Sequence, residues 1–300
     1  MNAVVRTLAL GKYYGRRRGL AGLDLEVHAG EIYGFLGPNG AGKTTTIRIL
    51  LDLIRPSAGR AEVLGLTPRA AGSALRARVG YLPGDFVVDG SQTSRQLLRH
   101  LAHLRGGLPQ ERFEILAGRL ELDLGVRIGS LSRGNRQKLG LIQAFMHQPE
   151  VLILDEPTTG LDPLLQQTFL AMAREAKAAG QTVFMSSHVL SEVQQSADRV
   201  GIIRDGRMVA VEAVETLRRR AVRRVVIVFD VPAAAVEFEA LPGVSDVEVD
   251  GTTLRCRLAG RADELVKAAA RYPVENLTMS EPDLEELFLA YYQAGAPEDE

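Results

Sequence analysis

The stretch GPNGAGKTT, Gly37–Thr45, constrains the fold of this chain more than any other. It satisfies every fixed position of G-x-x-x-x-G-K-[ST]. EIYGFLG before it reads as a strand, and KTTTIRILLDLI (43–54) after it reads as a helix stopped by Pro56. A glycine loop between a strand and a helix is a phosphate cradle. Residues without a Cβ let backbone N–H groups crowd round phosphate oxygens, and the helix N-terminus adds a favourable dipole. Gly37, Pro38, Asn39, Gly40, Ala41, Gly42, Lys43, Thr44 and Thr45 are therefore candidate nucleotide-binding residues. Lys43 would reach the β- and γ-phosphates, and the Thr44 hydroxyl would meet Mg²⁺. The alternative is an ordinary glycine turn, which has no need of the lysine, the threonine or the flanking elements.

The surrounding pattern is that of a mostly parallel α/β sheet. VGYLPG reads as a strand ending at Pro83, EVLILDEP as a buried strand and QTVFMSS as another. Residues 94–124 are helix-rich, with Leu97, Leu98, Leu101 and Leu104 forming a stripe of helical period. VGIIRDGRMV reads as a hairpin turning at Asp205-Gly206. The run Val151–Leu154 contains no polar residue, as a strand covered on both faces requires. Asp155 and Glu156 follow at its carboxyl end, where such sheets bind ligands. Asp155 is placed to hold Mg²⁺ through water, and Glu156 to orient and polarise an attacking water. Without the phosphate loop the pair would read as two solvated acids. His188 also follows a strand end. A lone histidine there is more often structural than catalytic, and its ring could instead contact a γ-phosphate from the edge of the site.

A basic stretch, TLRRRAVRR (216–224), reads as a solvated helix end or linker and marks a boundary. Beyond it RVVIVFDV is a strand, AAAVEFEAL a short helix and DVEVDGTTLRCRL a hairpin turning at Asp250-Gly251. RADELVKAAARY follows as a helix and VENLTMS as a strand. This β-α-β-β-α-β order predicts a small split-βαβ domain over 221–300. SEPDLEELFLAYY reads as a closing helix, with Ser280 as N-cap, Pro282 in the first turn and Asp283 at the capping-box position.

Composition narrows the function. A chain that is 46% apolar and 24% charged buries a real core. The net charge of −1 gives no electrostatic argument for a nucleic-acid partner. A single cysteine, Cys256, in the alternating LRCRL, excludes a disulfide framework within the chain and reads as a strand residue. Neither a secretory signal nor a membrane-spanning run is visible, which points to a reducing, cytoplasmic setting.

In order and spacing, GPNGAGKTT, LSRGNRQ (131–137), LILDEP (152–157), GLD (160–162) and SSH (186–188) resemble the ATP-binding cassette (ABC) ATPases over roughly residues 3–217. The LSGGQ-like signature is the most specific of these. The resemblance implies a P-loop ABC ATPase domain over 1–220, with a helical subdomain at about 86–148 and ATP and Mg²⁺ as cofactors. The last part of the chain, especially SEPDLEELFLAYY, resembles the C-terminal extension of ATP-binding subunits of ABC-2-type exporters. That implies ATP-powered export through a separate permease, with the chain held peripherally on the inner face of the cell membrane.

The resemblance also implies that two chains pair head to tail. Ser132 and Gly134 would then bind the γ-phosphate held by the partner chain. A small hydroxyl residue and a glycine at a helix start suit an anion, although Ser132 serves equally well as a simple N-cap. Asp162 would belong to the loop at the dimer interface. Tyr14 would stack on adenine, with one of Tyr13 and Tyr14 in the core. One departure stands out: where the family has glutamine or glutamate after VGYL, this chain has Gly84 and then Asp85. Asp85 is either a substitute Mg²⁺ ligand or a solvated loop acid. Two other functions compete. A soluble ABC ATPase acting on nucleic acid or ribosomes predicts paired cassettes, zinc cysteines or a basic surface. A regulatory module predicts a ligand motif in residues 222–300. None of these features is present in the sequence.

Overall fold

A computed structural model describes residues 2–220 and 222–280. The chain divides into two compact units, Met1–Val211 and Glu212–Glu300. The first runs β1 (Ala3–Tyr14), β2 (Arg17–His28), β3 (Ile32–Leu36), α1 (Lys43–Leu50), β4 (Ala58–Val63), α2 (Pro68–Arg78) and β5 (Val79–Leu82). It continues through α3 (Ser94–Leu104), α4 (Gln110–Arg119), α5 (Arg133–Phe145), β6 (Val151–Asp155), α6 (Pro163–Ala178), β7 (Thr182–Ser187), α7 (Leu190–Ser196), β8 (Arg199–Arg204) and β9 (Arg207–Ala213).

Six strands form the central sheet in the order β5-β6-β7-β3-β8-β9. The pairs from β5 to β8 are parallel. Every residue of β3, β6 and β7 is buried, as continuous apolar strands covered on both faces must be. Phe184 packs at 5.4 Å from Phe35 and 6.0 Å from Tyr33, centroid to centroid. β9 returns through a tight turn whose residues, Asp205 and Gly206, both have positive φ, the expected hairpin geometry.

A second sheet, antiparallel in the order β2-β1-β4, was not foreseen from the sequence. Its buried face (Val5, Leu10, Leu23, Val27) shares one core with Tyr33, Phe35 and Ile47. Two local expectations also need correction. α1 ends at Leu50, short of residue 54, because Asp52 takes a positive φ and turns the chain well before Pro56. In α3, Leu97 and Leu98 are buried but Leu104 is exposed, since the helix reaches solvent in its last turn. α3 itself starts on a complete capping box between Thr93 and Gln96.

The second unit comprises α8 (Val214–Arg220), β10 (Arg223–Phe229), α9 (Ala235–Glu239), β11 (Val244–Asp250), β12 (Thr253–Leu258), α10 (Asp263–Ala269) and β13 (Val274–Met279). The basic stretch is thus partly a helix and partly the start of a strand. The sheet order β11-β12-β10-β13, antiparallel throughout, is that of a split-βαβ domain. Its core joins Val225, Ile227, Phe229, Phe238, Leu254 and Leu265, with Cys256 buried among them. Asp250 pairs with Thr253, so the hairpin turn falls on Gly251 and Thr252, one residue later than expected. Beyond Ser280 the predicted closing helix, with Pro282 and Asp283, lies outside the described residues. Among the described residues no helix is long and apolar enough to cross a membrane.

Candidate functional site

Three neighbouring strands of the central sheet end in line. Leu36 of β3 pairs with Ser187 of β7, and Asp155 of β6 pairs with Ser186. Three loops therefore leave the sheet side by side: Gly37–Gly42, the turn starting at Glu156, and His188. This is the carboxyl edge, where open α/β sheets bind ligands.

The first loop turns into α1 at Gly42, whose φ of 113° no side-chain-bearing residue adopts comfortably. Lys43 is 5% exposed. Its ammonium donates to the carbonyls of Gly37 (2.6 Å) and Pro38 (3.2 Å) and lies 3.3 Å from Glu156 Oε1. A cavity of about 310 Å³ opens over the loop, lined by Asn39, Gly40, Gly42, Lys43, Thr44, Thr45, Glu156, Tyr14, Arg17 and Arg18. The Tyr14 hydroxyl is 3.5 Å from Thr45 Oγ1, and Lys12 Nζ stands 5.2 Å from the ring centroid. Tyr13 is 51% and Tyr14 47% exposed, so neither belongs to the core, although both stay paired with β2 at the end of the β1–β2 hairpin. Arg17 and Arg18 were missed from the sequence, where the run Arg16–Arg18 lies well before the phosphate loop and meets its cavity only after folding.

A second cavity, of about 300 Å³, brings together Thr44, Asp85, Asp155, Glu156, Arg133 and Tyr81. Asp155 is 1% exposed. Its Oδ1 accepts from Ser186 Oγ at 2.6 Å, while the buried Oδ2 has no hydrogen-bond partner among the described residues. Such an oxygen is costly unless a cation or donor meets it. With the Thr44 hydroxyl and the Asp85 carboxylate on the same cavity, the donor set is all oxygen and suits Mg²⁺. Among the described residues no group of three or more acidic, histidine or cysteine side chains is arranged to hold a metal ion by itself. Mg²⁺ needs none, because it is commonly held by one or two carboxylates together with water and phosphate. The Gly84 backbone crowds Asp155, since a Cβ there would stand 3.2 Å from Oδ2. Burial first, and then the Asp155 charge, push the Tyr81 phenol up to about 12, so it stays protonated.

Glu156, 20% exposed, sits between the two cavities with a φ of +50°. Its Oε2 lies 2.8 Å from His188 Nδ1 and accepts from Thr159 Oγ1 at 3.3 Å. Its backbone N–H donates to Ser186 Oγ at 3.0 Å. Gln137, buried on α5, donates to the carbonyls of Glu156 and Pro157, each at 3.0 Å. Ser186 and Gln137 were quoted in motifs but given no role from sequence; both hold the acidic turn in place.

Ser132 caps α5, its Oγ accepting from Asn135 N–H at 3.2 Å. A Cβ on Gly134 would come within 2.6 Å of the Gly160 carbonyl, so a side chain there would collide with the neighbouring turn. Asp162 caps α6, its Oδ1 accepting from Leu164 and Leu165 N–H, both at 3.0 Å. The loop, the two acids and His188 are thus assembled in one place. Ser132, Gly134 and Asp162 have structural roles within the chain.

Residues 20–159 match the ABC transporter family. Over 98% of its length the chain is 35% identical to the bacitracin transport ATP-binding protein of Bacillus licheniformis, and the match spans 99% of that protein. The chain belongs to the ATP-binding subunits of ABC transporters. It is also 36% identical to a daunorubicin resistance ATP-binding protein of Streptomyces coeruleorubidus, over 93% of this chain and 92% of that one. A solved ATP-binding subunit of an ABC transporter superposes with a TM-score of 0.66 at 29% identity, covering 72% of this chain and 92% of that one. As a member of this family, the subunit binds and hydrolyses ATP. The Lys43 loop and the carboxylates at the end of β6 line two charged cavities on its sheet edge.

Proposed function

We propose that this ATP-binding subunit powers export through a separate membrane permease, as the second chain of a head-to-tail pair closes over each ATP. The observation that carries this reading is the likeness, over nearly the whole chain, to ATP-binding proteins named for bacitracin transport and daunorubicin resistance. The fold-wide match includes the second unit, which a bare cassette lacks.

In this reading the loop Gly37–Thr45 holds the phosphates and Tyr14 packs against the adenine. Thr44 would hold Mg²⁺ through its hydroxyl and Asp155 through water, with the Asp85 carboxylate on the same cavity as a further oxygen donor. The ion, when bound, neutralises phosphate charge as the γ-phosphoryl leaves. Glu156 orients the attacking water and takes up its proton. His188, bonded to Glu156 Oε2, keeps that carboxylate turned towards the phosphate loop. Ser132 and Gly134 close on the ATP of the partner chain, with Asp162 at the interface between the chains. The permease anchors the pair at the inner face of the membrane.

Co-expression with a candidate permease tests the reading. The chain sediments with membranes when the permease is present and stays in the supernatant without it, and ATP-dependent efflux is lost in Glu156→Gln. Equal binding to protein-free anionic vesicles would overturn attachment through a permease and implicate the basic stretch Arg218–Arg224 instead.

A further inference from the structure

Glu192 lies in the first turn of α7. In the structure both its carboxylate oxygens are engaged. Oε1 accepts from Thr158 Oγ1 at 2.6 Å, and Oε2 accepts from Ser187 Oγ at 2.6 Å. Thr158 and Ser187 are 4% and 3% exposed, so both bonds run inward from the helix to buried hydroxyls. Hydrogen bonds to a carboxylate at this distance are of the strong, charge-assisted kind.

The two hydroxyls belong to the two chain segments that carry the reactive pair, the turn after β6 and the end of β7. Thr158 lies two residues after Glu156, in a turn held by Thr159 N–H donating to the Glu156 carbonyl at 3.2 Å and Leu161 N–H donating to the Thr158 carbonyl at 3.0 Å. Ser187 directly precedes His188, and its carbonyl accepts from Gly37 N–H at 3.2 Å, the first residue of the phosphate loop. Beside this contact, His188 Nδ1 meets Glu156 Oε2 at 2.8 Å. The two segments are thus joined twice: directly by the imidazole–carboxylate contact, and through the Glu192 carboxylate, which bridges Thr158 and Ser187.

We infer that Glu192 is a positioning residue for ATP hydrolysis, clamping Thr158 to Ser187 so that Glu156 and His188 keep their mutual geometry. Nothing places its carboxylate in either cavity over the phosphate loop, so it acts through the two segments rather than on ATP. The inference rests on the reading of Glu156 as the water-orienting carboxylate. A displacement of that group by about 1 Å is enough to slow chemistry up to a hundredfold while leaving binding contacts in place.

The test is steady-state ATPase kinetics on Glu192→Ala, Glu192→Gln, Thr158→Val, Ser187→Ala and the Glu192→Ala/Thr158→Val double variant, with thermal midpoints. Glu192→Ala is expected to lower kcat by about tenfold or more with KM for ATP within about twofold. Glu192→Gln, which keeps one acceptor oxygen, recovers much of the loss. The double variant is no slower than Glu192→Ala, because both changes break the same contact. A wild-type kcat in Glu192→Ala overturns the inference, as does an additive double variant whose kcat falls only in step with its thermal midpoint. If Glu192→Ala does not fold, Thr158→Val and Ser187→Ala decide by the same kcat-against-KM split. Glu156→Gln, assayed alongside, separates the two assignments: if it remains active the reading of Glu156 falls, whereas an inactive Glu156→Gln beside a fully active Glu192→Ala removes only the clamp.

Discussion

Oε1 of Glu156 forms an ion pair with Nζ of Lys43 at 3.3 Å, so the carboxylate that would polarise water also faces the ammonium that would hold phosphate. Glutamine at this position keeps size and hydrogen bonding but cannot act as a base. Glu156→Gln is expected to cut turnover by about a hundredfold or more, in line with general-base contributions, while ATP still binds. Turnover by single-cycle assay and binding by a fluorescent nucleotide check both halves, and near-normal hydrolysis would sink the assignment.

The two-chain site has its own test. Lys43→Ala and Ser132→Arg chains are each expected to be inactive alone. Mixed, they form one site in which an intact Lys43 faces an intact Ser132 on the opposite chain, and part of the activity returns. If mixed dimers form and no activity returns, phosphate loop and signature do not act across chains.

Asp85 shares a cavity with Thr44 and Asp155, and Gly84 leaves no side chain between them. If it helps hold the metal, Asp85→Ala raises the Mg²⁺ needed for half-maximal ATPase and lowers turnover, with Mg²⁺-free ATP affinity unchanged. A Mg²⁺ titration identical to wild type would return Asp85 to the solvated surface.

The central sheet and its loops were legible because their signals are local. Glycines, a lysine and a threonine at fixed spacing admit one geometry, and Val151–Leu154 can only be a strand covered on both sides. The β2-β1-β4 sheet was not legible because β1 breaks its own alternation. Its pairing with β2 shifts register between Thr7 and Leu10, and Ala9 takes a φ of +45°, so apolar residues lose the period of two. In the candidate site, Lys43, Thr44, Asp155 and Glu156 were readable as a motif, and the fold brings them to the same two cavities. Gln137, Ser186 and Glu192 act only through what they touch after folding, and a polar residue on a helix or near a strand end gives no hint of that.

His147 gives a stability prediction. Burial, and then the Arg105 charge, push its imidazole down from 6.5 to about 4. The unfolded chain therefore binds a proton that the folded chain refuses between those values. The stability this contributes is fully present above pH 6.5, declines as pH falls through the window and is gone below about 4. With the ring partly open to water, the contribution is about 1–2 kcal/mol. Denaturant titrations on either side of the window are expected to show a flatter pH dependence for His147→Gln than for wild type. Equal slopes would mean the ring is solvated.

Gly134 abuts the Gly160 carbonyl, and Gln137, one turn along the same helix, holds the carbonyls of Glu156 and Pro157. The start of α5 and the turn after β6 are therefore keyed like two teeth of one gear. In the head-to-tail pair proposed above, a nucleotide that drew the signature of one chain towards its partner would also pull on that chain's own carboxylate, and the paired sites would not fire as independent engines.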